Sequence, residues 1–196
     1  MAIVFDTIIT QGVRSGQIPA RTNSARDWFR DTAGKMNRIN EREMMKGDIS
    51  RMTTQPLLGS MYMFYYDPKW KDELPYYDRF PLIFPYKKVK GGFMGLNLHY
   101  LPPILRAKML DALMDIQSSP KCGDAKFNLR YKTLKASSKL KWYKPCFKHY
   151  LNTQVESRFA EVSAPEWEIA TFLPTASWRK SNSQKVFADS RKQIGK

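Results

Sequence analysis

The chain has 196 residues, 42% of them hydrophobic, and carries 33 lysines and arginines against 18 acidic residues, a net charge of +15. This length and apolar content predict one buried core, and the two cysteines exclude a disulfide-based scaffold. The charge favours a polyanionic partner such as nucleic acid, an acidic lipid surface or an acidic protein, while no apolar run approaches the roughly 18 residues of a membrane span.

The N-terminal residues predict an arm followed by a helix. Residues 1–21 join a short apolar run to a tract with glycine, serine and proline, and we expect little of this arm to pack. The run has no basic leader and no small-residue cleavage site, so a signal peptide is not expected. Ser24 is a candidate N-cap with Asp27 three positions on, and an apolar stripe then predicts a helix that runs toward Met45.

The central residues predict a sheet with a tight hairpin. Residues 61–66 are apolar or aromatic at every position, as in a strand that is covered on both faces. The Gly91-Gly92 pair can take the positive φ angles of a two-residue turn, so residues 81–90 and 93–100 are predicted to pair as antiparallel strands. Two prolines in residues 81–90 cannot donate to a ladder, which places that strand at an edge of the sheet.

A helix is predicted directly after the hairpin. Alternation within residues 93–100 places Leu96 and Leu98 on one face, which we predict to be the core face. Two prolines fit a first helical turn, and an apolar stripe then continues to Ile116. Arg106 is predicted to lie on the side of this helix opposite the stripe.

The loop between the first two predicted strands, residues 67–78, is rich in acids and is interpreted as a surface loop. Its carboxylates are of the type that lines a two-metal nuclease site, although a charged loop in a basic protein explains them better. They are Asp67, Asp72, Glu73 and Asp78.

The histidines and cysteines offer a second, weak candidate for chemistry. A zinc site would have to use His99, His149, Cys122 and Cys146, and the chain contains neither Cys-x-x-Cys nor His-x-x-x-His. A Cys146–His149 nucleophile pair would also need an orienting group and an oxyanion site. We therefore predict no metal site, no cofactor, no small-molecule substrate and no enzymatic activity.

The most basic part of the chain runs from Ala125 to Val155, where no acidic residue occurs. Basic and aromatic residues interleaved in this way can track a phosphate backbone and stack on bases. The alternative is a solvated basic face whose aromatic residues belong to the core. The residues predicted to bind nucleic acid or an acidic partner are Lys126, Arg130, Lys132, Lys135, Lys139, Lys141, Trp142, Tyr143, Lys144, Lys148, Arg179 and Lys180.

A short capped helix and a basic tail complete the chain. Ser163 and Glu166 stand at capping-box spacing, with Pro165 in the first turn. Residues 175–196 are polar and basic, and this composition predicts disorder in isolation. The patterns together predict an α+β fold with a small antiparallel β-sheet or partly open barrel, flanking helices and extended basic N- and C-terminal arms. The predicted division is an arm at 1–21, a core domain at 22–174 and an arm at 175–196.

Three tracts together resemble a virion structural protein of contractile-tailed, myovirus-type bacteriophages. They are MYMFYYDPKWKDELPYYDRFPLIFP, GGFMGLNLHYLPPILRAKMLDAL, and SRFAEVSAPEWEIATFLPT with ADSRK. The likeness covers residues 24–192. It implies a protein of the tail, baseplate or neck, a class in which some members contact the DNA end or the tape-measure protein, and it brings no catalytic residue.

Three functions follow from these observations. The main prediction is a non-enzymatic structural component of the virion, made in the host cytoplasm, located in the tail, baseplate or neck, and in contact with neighbouring subunits and with DNA or the tape-measure protein. The alternative is a free nucleic-acid-binding protein without sequence preference, for which the charge argues equally well. A lesser alternative is a metal-dependent nuclease built on the acidic loop.

Overall fold

The computed structural model describes residues 2–17, 22–37, 39–45 and 49–195. Within them, seven α-helices accompany a six-stranded antiparallel sheet and a two-stranded sheet. The helices are α1 (Ala2–Arg14), α2 (Asn23–Gly34), α3 (Glu41–Met45), α4 (Pro103–Ser118), α5 (Gly123–Ser137), α6 (Trp167–Phe172) and α7 (Ser183–Gly195). The strands are β1 (Met52–Thr53), β2 (Met61–Met63), β3 (Tyr77–Asp78), β4 (Leu82–Val89), β5 (Gly92–Asn97), β6 (Phe147–Leu151), β7 (Phe159–Val162) and β8 (Trp178–Arg179). The predicted α+β class is confirmed, with an open sheet rather than a barrel.

The main sheet has the strand order β1-β7-β2-β4-β5-β6. The predicted pairing of β4 with β5 is confirmed, but the turn is one residue earlier than predicted: Val89 pairs with Gly92, and Lys90 and Gly91 form the turn, with a φ of 76° at Gly91. The edge position predicted for β4 from Pro81 and Pro85 is wrong. Pro81 precedes the strand, and β4 pairs with β2 only through Leu82 and Ile83, so Pro85 lies beyond that ladder. The carbonyl oxygen of Pro85 accepts from Gly59 N at 2.8 Å, so the nitrogen of Pro85 also faces away from β5 and its missing donor costs the β4–β5 ladder nothing.

Both faces of the sheet are covered, as the apolar residues 61–66 predict. One face carries the main core, in which Leu96 and Leu98 are fully buried beside residues of α4, α5 and α6. Leu98 follows β5 in a 3₁₀ turn rather than in the strand itself. The second face carries a smaller, mostly aromatic cluster whose members are Tyr62, Phe64, Tyr66, Ile83, Phe93, Tyr150 and Phe159.

Both ends of the chain differ from the expectation of unpacked arms. The helix α1 buries Phe5 and Ile8 in the main core, because these positions recur on one side of a helix. The helix α7 buries Val186, and Trp178 packs edge-on against Tyr100 with ring centroids 4.8 Å apart. Apolar residues at helical spacing therefore hold both terminal segments, although their average composition is polar. The predicted division into three parts stays a prediction.

Helix α2 begins and ends earlier than predicted. Its N-cap is Thr22, whose hydroxyl accepts a hydrogen bond from Ala25 N at 3.2 Å, rather than Ser24. It ends at Gly34, and a separate short helix, α3, carries the chain to Met45. The predicted capping box of Ser163 and Glu166 is present.

Arginines join the helices that cover the main core. Arg30 of α2 donates to Glu168 of α6 at 2.7 Å and to Asp111 of α4 at 2.6 Å. The Arg106 side chain is buried, which contradicts its predicted place away from the packed stripe. It donates to the carbonyl oxygens of Leu101, His99 and Thr171 at 2.7, 3.1 and 3.0 Å. Three buried acceptors explain why a charged side chain lies in the core, and burial lowers the pKa of Arg106 to about 10.

Candidate nucleic-acid interface

The predicted binding residues lie on four parts of the fold. Four are on α5, namely Lys126, Arg130, Lys132 and Lys135. Four follow in the connection to β6, namely Lys139, Lys141, Trp142 and Tyr143, and Lys144 begins the 3₁₀ turn before that strand. Lys148 is on β6, whereas Arg179 and Lys180 lie at and after β8. The structure therefore brings most of them into one helix and the segment that follows it.

The exposed lysines of this region form what we call the lysine segment, residues 132–144. Its exposed basic residues are Lys132, Lys135, Lys139, Lys141 and Lys144. Within the described residues, none of them forms an ion pair with a carboxylate. Trp142 lies among them with 55% of its surface exposed. Unpaired cations beside an exposed aromatic ring suit a nucleic-acid backbone and its bases.

Other predicted residues have structural contacts instead. Arg130 donates to Gln117 Oε1 at 2.7 Å and lies over the Trp167 ring. Tyr143 is half-buried against the main core. Lys180 Nζ donates to the carbonyl oxygens of Lys71, Asp72 and Leu74 at 2.8, 3.0 and 3.4 Å. Lys180 thus anchors the acidic loop.

A cavity of about 580 Å³ lies where that loop meets the end of the sheet. We call it the aromatic cavity. Its aromatic lining residues are Tyr66, Trp70, Tyr76, Tyr77, Tyr100 and Tyr150, and its other lining groups include Lys148, His149, Asp78 and Asn97. The cavity is of the size and composition of small-ligand sites in proteins, which are mostly apolar with a few placed polar groups.

The floor of the aromatic cavity is a closed hydrogen-bond network centred on Asp78. His99 Nδ1 lies 2.7 Å from Asp78 Oδ2, to which Asn97 Nδ2 also donates at 3.1 Å. The backbone N–H groups of Phe80 and Ser177 donate to Asp78 Oδ1. Burial raises the pKa of Asp78, but the His99 charge and these hydrogen bonds outweigh burial, so the pKa lies below its ordinary value.

Lys148 is a cation of the cavity wall without an acidic partner among the described residues. Its ammonium group lies 4.1 Å from the centroid of the Tyr100 ring, a cation–π contact. Burial lowers the pKa of Lys148. Asp78, a carboxylate of the lining, is already engaged by His99 and Asn97, so the Lys148 charge remains available to an anion.

Sequence reasoning missed Trp70, which is 57% exposed on the acidic loop. Lys69 Nζ lies 5.0 Å from the centroid of the Trp70 ring, and Lys71 pairs with Asp67 at 2.7 Å. The signal was present, because Lys69-Trp70-Lys71 repeats the basic and aromatic interleaving that singled out residues 125–155. Acidic residues flank these three positions, so the loop was interpreted as an acidic surface loop and the basic and aromatic pattern was overlooked.

The candidate metal ligands are differently placed. Cys122 is exposed and Cys146 is buried, while His99 is committed to Asp78 and lies 3.3 Å from Thr175 Oγ1. In the part of the chain that the structure describes, no group of three or more histidine, cysteine or acidic residues is placed to hold a metal ion.

One family of known proteins matches the chain. The model of the family described as phage T4 terminal DNA protecting protein matches residues 5–192. The chain belongs to this family. No curated protein sequence and no solved structure matches the chain significantly.

The family corrects the main functional prediction. The resemblance to a phage protein is confirmed, but a structural component of the tail, baseplate or neck is wrong, and so is a location there, because the family is one of DNA-terminus protection. The family match does not support neighbouring virion subunits or the tape-measure protein as partners, whereas it does support DNA. No helix among the described residues is long and apolar enough to cross a membrane.

Proposed function

We propose that this protein binds the ends of duplex DNA and shields them by occupancy. The observation that carries the proposal is the family match over residues 5–192, since the family is described by its protection of terminal DNA. A net charge of +15 supports it, because phosphate neutralisation supplies most of the affinity of such proteins. The alternative prediction of a nucleic-acid-binding protein thereby becomes the main one, with the DNA end as its target.

The lysine segment is the surface that we propose to contact the DNA backbone. Its lysines are exposed and without ion pairs in the described structure, so they need not break existing contacts to reach phosphates. Phosphate contacts carry no sequence information, so binding is expected to be independent of base sequence. An end-binding protein without sequence preference can protect any terminus of the same shape.

Protection assays test the proposal directly. A linear duplex with an internal restriction site is mixed with the protein and treated with an exonuclease that starts at ends, or with the restriction enzyme. Protection from the exonuclease with unchanged internal cleavage is expected. Equal protection from both enzymes would indicate general coating of DNA and would overturn end binding. After protease treatment the DNA should be fully sensitive again, whereas lasting protection would indicate chemical modification of the ends.

The salt dependence of binding tests the lysine segment. Replacing Lys139, Lys141 and Lys144 with glutamine is expected to make the slope of log affinity against log salt less negative by up to roughly three. Each lost phosphate contact reduces the magnitude of this slope by about 0.9. The slope is measured by fluorescence anisotropy with an end-labelled duplex. The fold should be intact, because exposed lysines contribute little to stability.

A matched triple variant controls for net charge. Lys87, Lys88 and Lys90 are exposed on the β4–β5 hairpin, and their replacement with glutamine removes the same charge. The hairpin variant is expected to keep a slope closer to that of the wild type. Equal slopes in the two triple variants would remove the lysine segment from its proposed role.

A further inference from the structure

The aromatic cavity has a chemistry that the proposed lysine contacts do not use. Its lining includes the exposed ring of Trp70, which offers a stacking face, and Lys148 offers a positive charge that no described carboxylate neutralises. A ligand that combines a flat ring with an anion matches both features. A nucleotide is such a ligand, since base–aromatic stacking is tolerant of base identity and phosphate pairs with lysine.

The polar groups of the cavity favour an acceptor-rich ligand. The hydroxyl of Tyr66 accepts from Leu151 N at 3.2 Å, and the hydroxyl of Tyr150 accepts from Asn97 Nδ2 at 3.1 Å. Within the described residues, neither hydroxyl donates a hydrogen bond, so both O–H groups can turn to a ligand. Asp78 is not available to accept a hydrogen bond from a ligand, because its two oxygens already accept four hydrogen bonds.

The entrance of the cavity carries an exposed ring in a fixed position. Trp70 belongs to a loop whose carbonyl oxygens are held by Lys180 and whose Asp67 is paired with Lys71. A large apolar ring that is 57% exposed on an anchored loop is a ready stacking platform. Lys69, over the same ring, adds a second cation near the entrance.

The lysine segment leads to this cavity along the chain. Lys144 and Lys148 are four positions apart, a separation of at most about 14 Å in an extended chain. Because one strand of B-DNA rises about 3.4 Å per nucleotide, this upper limit corresponds to roughly four nucleotides. Lys148 therefore lies within a few nucleotides of a DNA strand that contacts Lys144.

We propose that the aromatic cavity takes the terminal nucleotide of the DNA end in an unpaired state, with its base stacked on Trp70 and its phosphate on Lys148. The inference rests on the proposed end binding and adds how an end is told from internal duplex. A terminal nucleotide stacks on one neighbouring base pair, whereas an internal nucleotide stacks on two. Unpairing therefore costs less free energy at an end than within the duplex.

DNA hairpins with a single end test this inference. The probes carry a blunt end, one unpaired terminal nucleotide on the 3′ or the 5′ strand, or the same nucleotide without its base, and a closed dumbbell has no end. The wild type is expected to bind at least one unpaired-nucleotide probe roughly 5- to 100-fold more tightly than its abasic counterpart. Trp70→Ala should abolish this preference. Trp142→Ala is the matched control, because Trp142 is 55% exposed outside the cavity, and it should keep the preference.

A second variant tests the phosphate contact. Lys148→Met removes the ammonium group and keeps an unbranched side chain that is one atom shorter. It should lower the magnitude of the salt slope for the unpaired-nucleotide probe by about 0.7, the value for one contact to a single strand. An unchanged base preference in Trp70→Ala, or an unchanged slope in Lys148→Met, would overturn the inference. Tighter binding of thymidine monophosphate than of the DNA end would also overturn it, by making a free nucleotide the ligand.

The same titrations separate this inference from the proposed function. Equal affinity of the wild type for the dumbbell and for the probes with an end would remove end binding itself. If the Trp70→Ala variant still prefers DNA ends, the protein binds ends without using the aromatic cavity, and only the present inference is refuted.

Discussion

Replacing Asp78 with asparagine is expected to lower the free energy of unfolding by about 3 to 5 kcal/mol. Asp78 is 4% exposed and accepts hydrogen bonds from His99, Asn97 and two backbone N–H groups. An amide in its place presents one donor group to partners that are themselves donors, and it leaves the buried His99 ring without its carboxylate partner. Breaking a buried pair on one side is costly because the remaining group stays buried. Urea denaturation followed by circular dichroism measures the loss.

The pH dependence of that loss has a defined sign. The pKa of Asp78 lies below its ordinary value of 3.8, so the folded protein binds this proton less tightly than the unfolded chain. The stabilisation from the carboxylate is therefore complete above about pH 4 and is lost as the pH falls through the folded pKa. The difference in unfolding free energy between wild type and Asp78→Asn should narrow below about pH 4. A difference that widens in acid would contradict the assigned charge of Asp78.

Asp67→Asn serves as the matched control. Asp67 pairs with Lys71 at 2.7 Å on the exposed loop, where water screens an ion pair and leaves it little net effect on stability. The same chemical change should therefore have a much smaller effect there. Comparable losses at Asp67 and Asp78 would show that burial is not what makes the second carboxylate important.

Leu98→Ala is the second large expected effect, with a loss of about 2 to 5 kcal/mol in unfolding free energy. Leu98 is fully buried in the main core, directly after β5. Truncation removes apolar contacts and leaves a cavity that its rigid surroundings fill only in part. Leu140→Ala is the control, because Leu140 is 52% exposed and should change stability by less than about 0.5 kcal/mol. An unfolding midpoint equal to that of the wild type would refute the placement of Leu98.

The sequence predicted those parts of the fold that depend on neighbouring residues. Gly91 specifies its turn through a positive φ angle, and the capping box of Ser163 and Glu166 lies within four positions. The position of β4 in the sheet could not be predicted in this way. It depends on β2 and on where the β2 ladder stops relative to Pro85, and pairing between distant segments leaves no local pattern.

The same distinction between local and distant residues applies to the candidate site. A basic stretch without acidic residues can be recognised from composition alone, so the sequence predicted the lysine segment. The aromatic cavity was not, because it joins the loop residue Trp70, the end of β5 and the edge strand that carries Lys148. The burial of Arg106 could not be predicted either, because its carbonyl partners come both from the turn before α4, at His99 and Leu101, and from the distant helix α6, at Thr171.

The strand order has a consequence for how the protein is made. The strand β7 lies between β1 and β2, so the two earlier strands acquire their common neighbour only after residue 162 has been synthesised. Pairing across about 100 positions makes folding slow relative to that of chains with local contacts. Until then β2 has an unpaired apolar edge, the kind of surface that adds strands from other molecules. Nascent or truncated chains that end before β7 are therefore expected to aggregate, as the soluble fraction of such truncations would show.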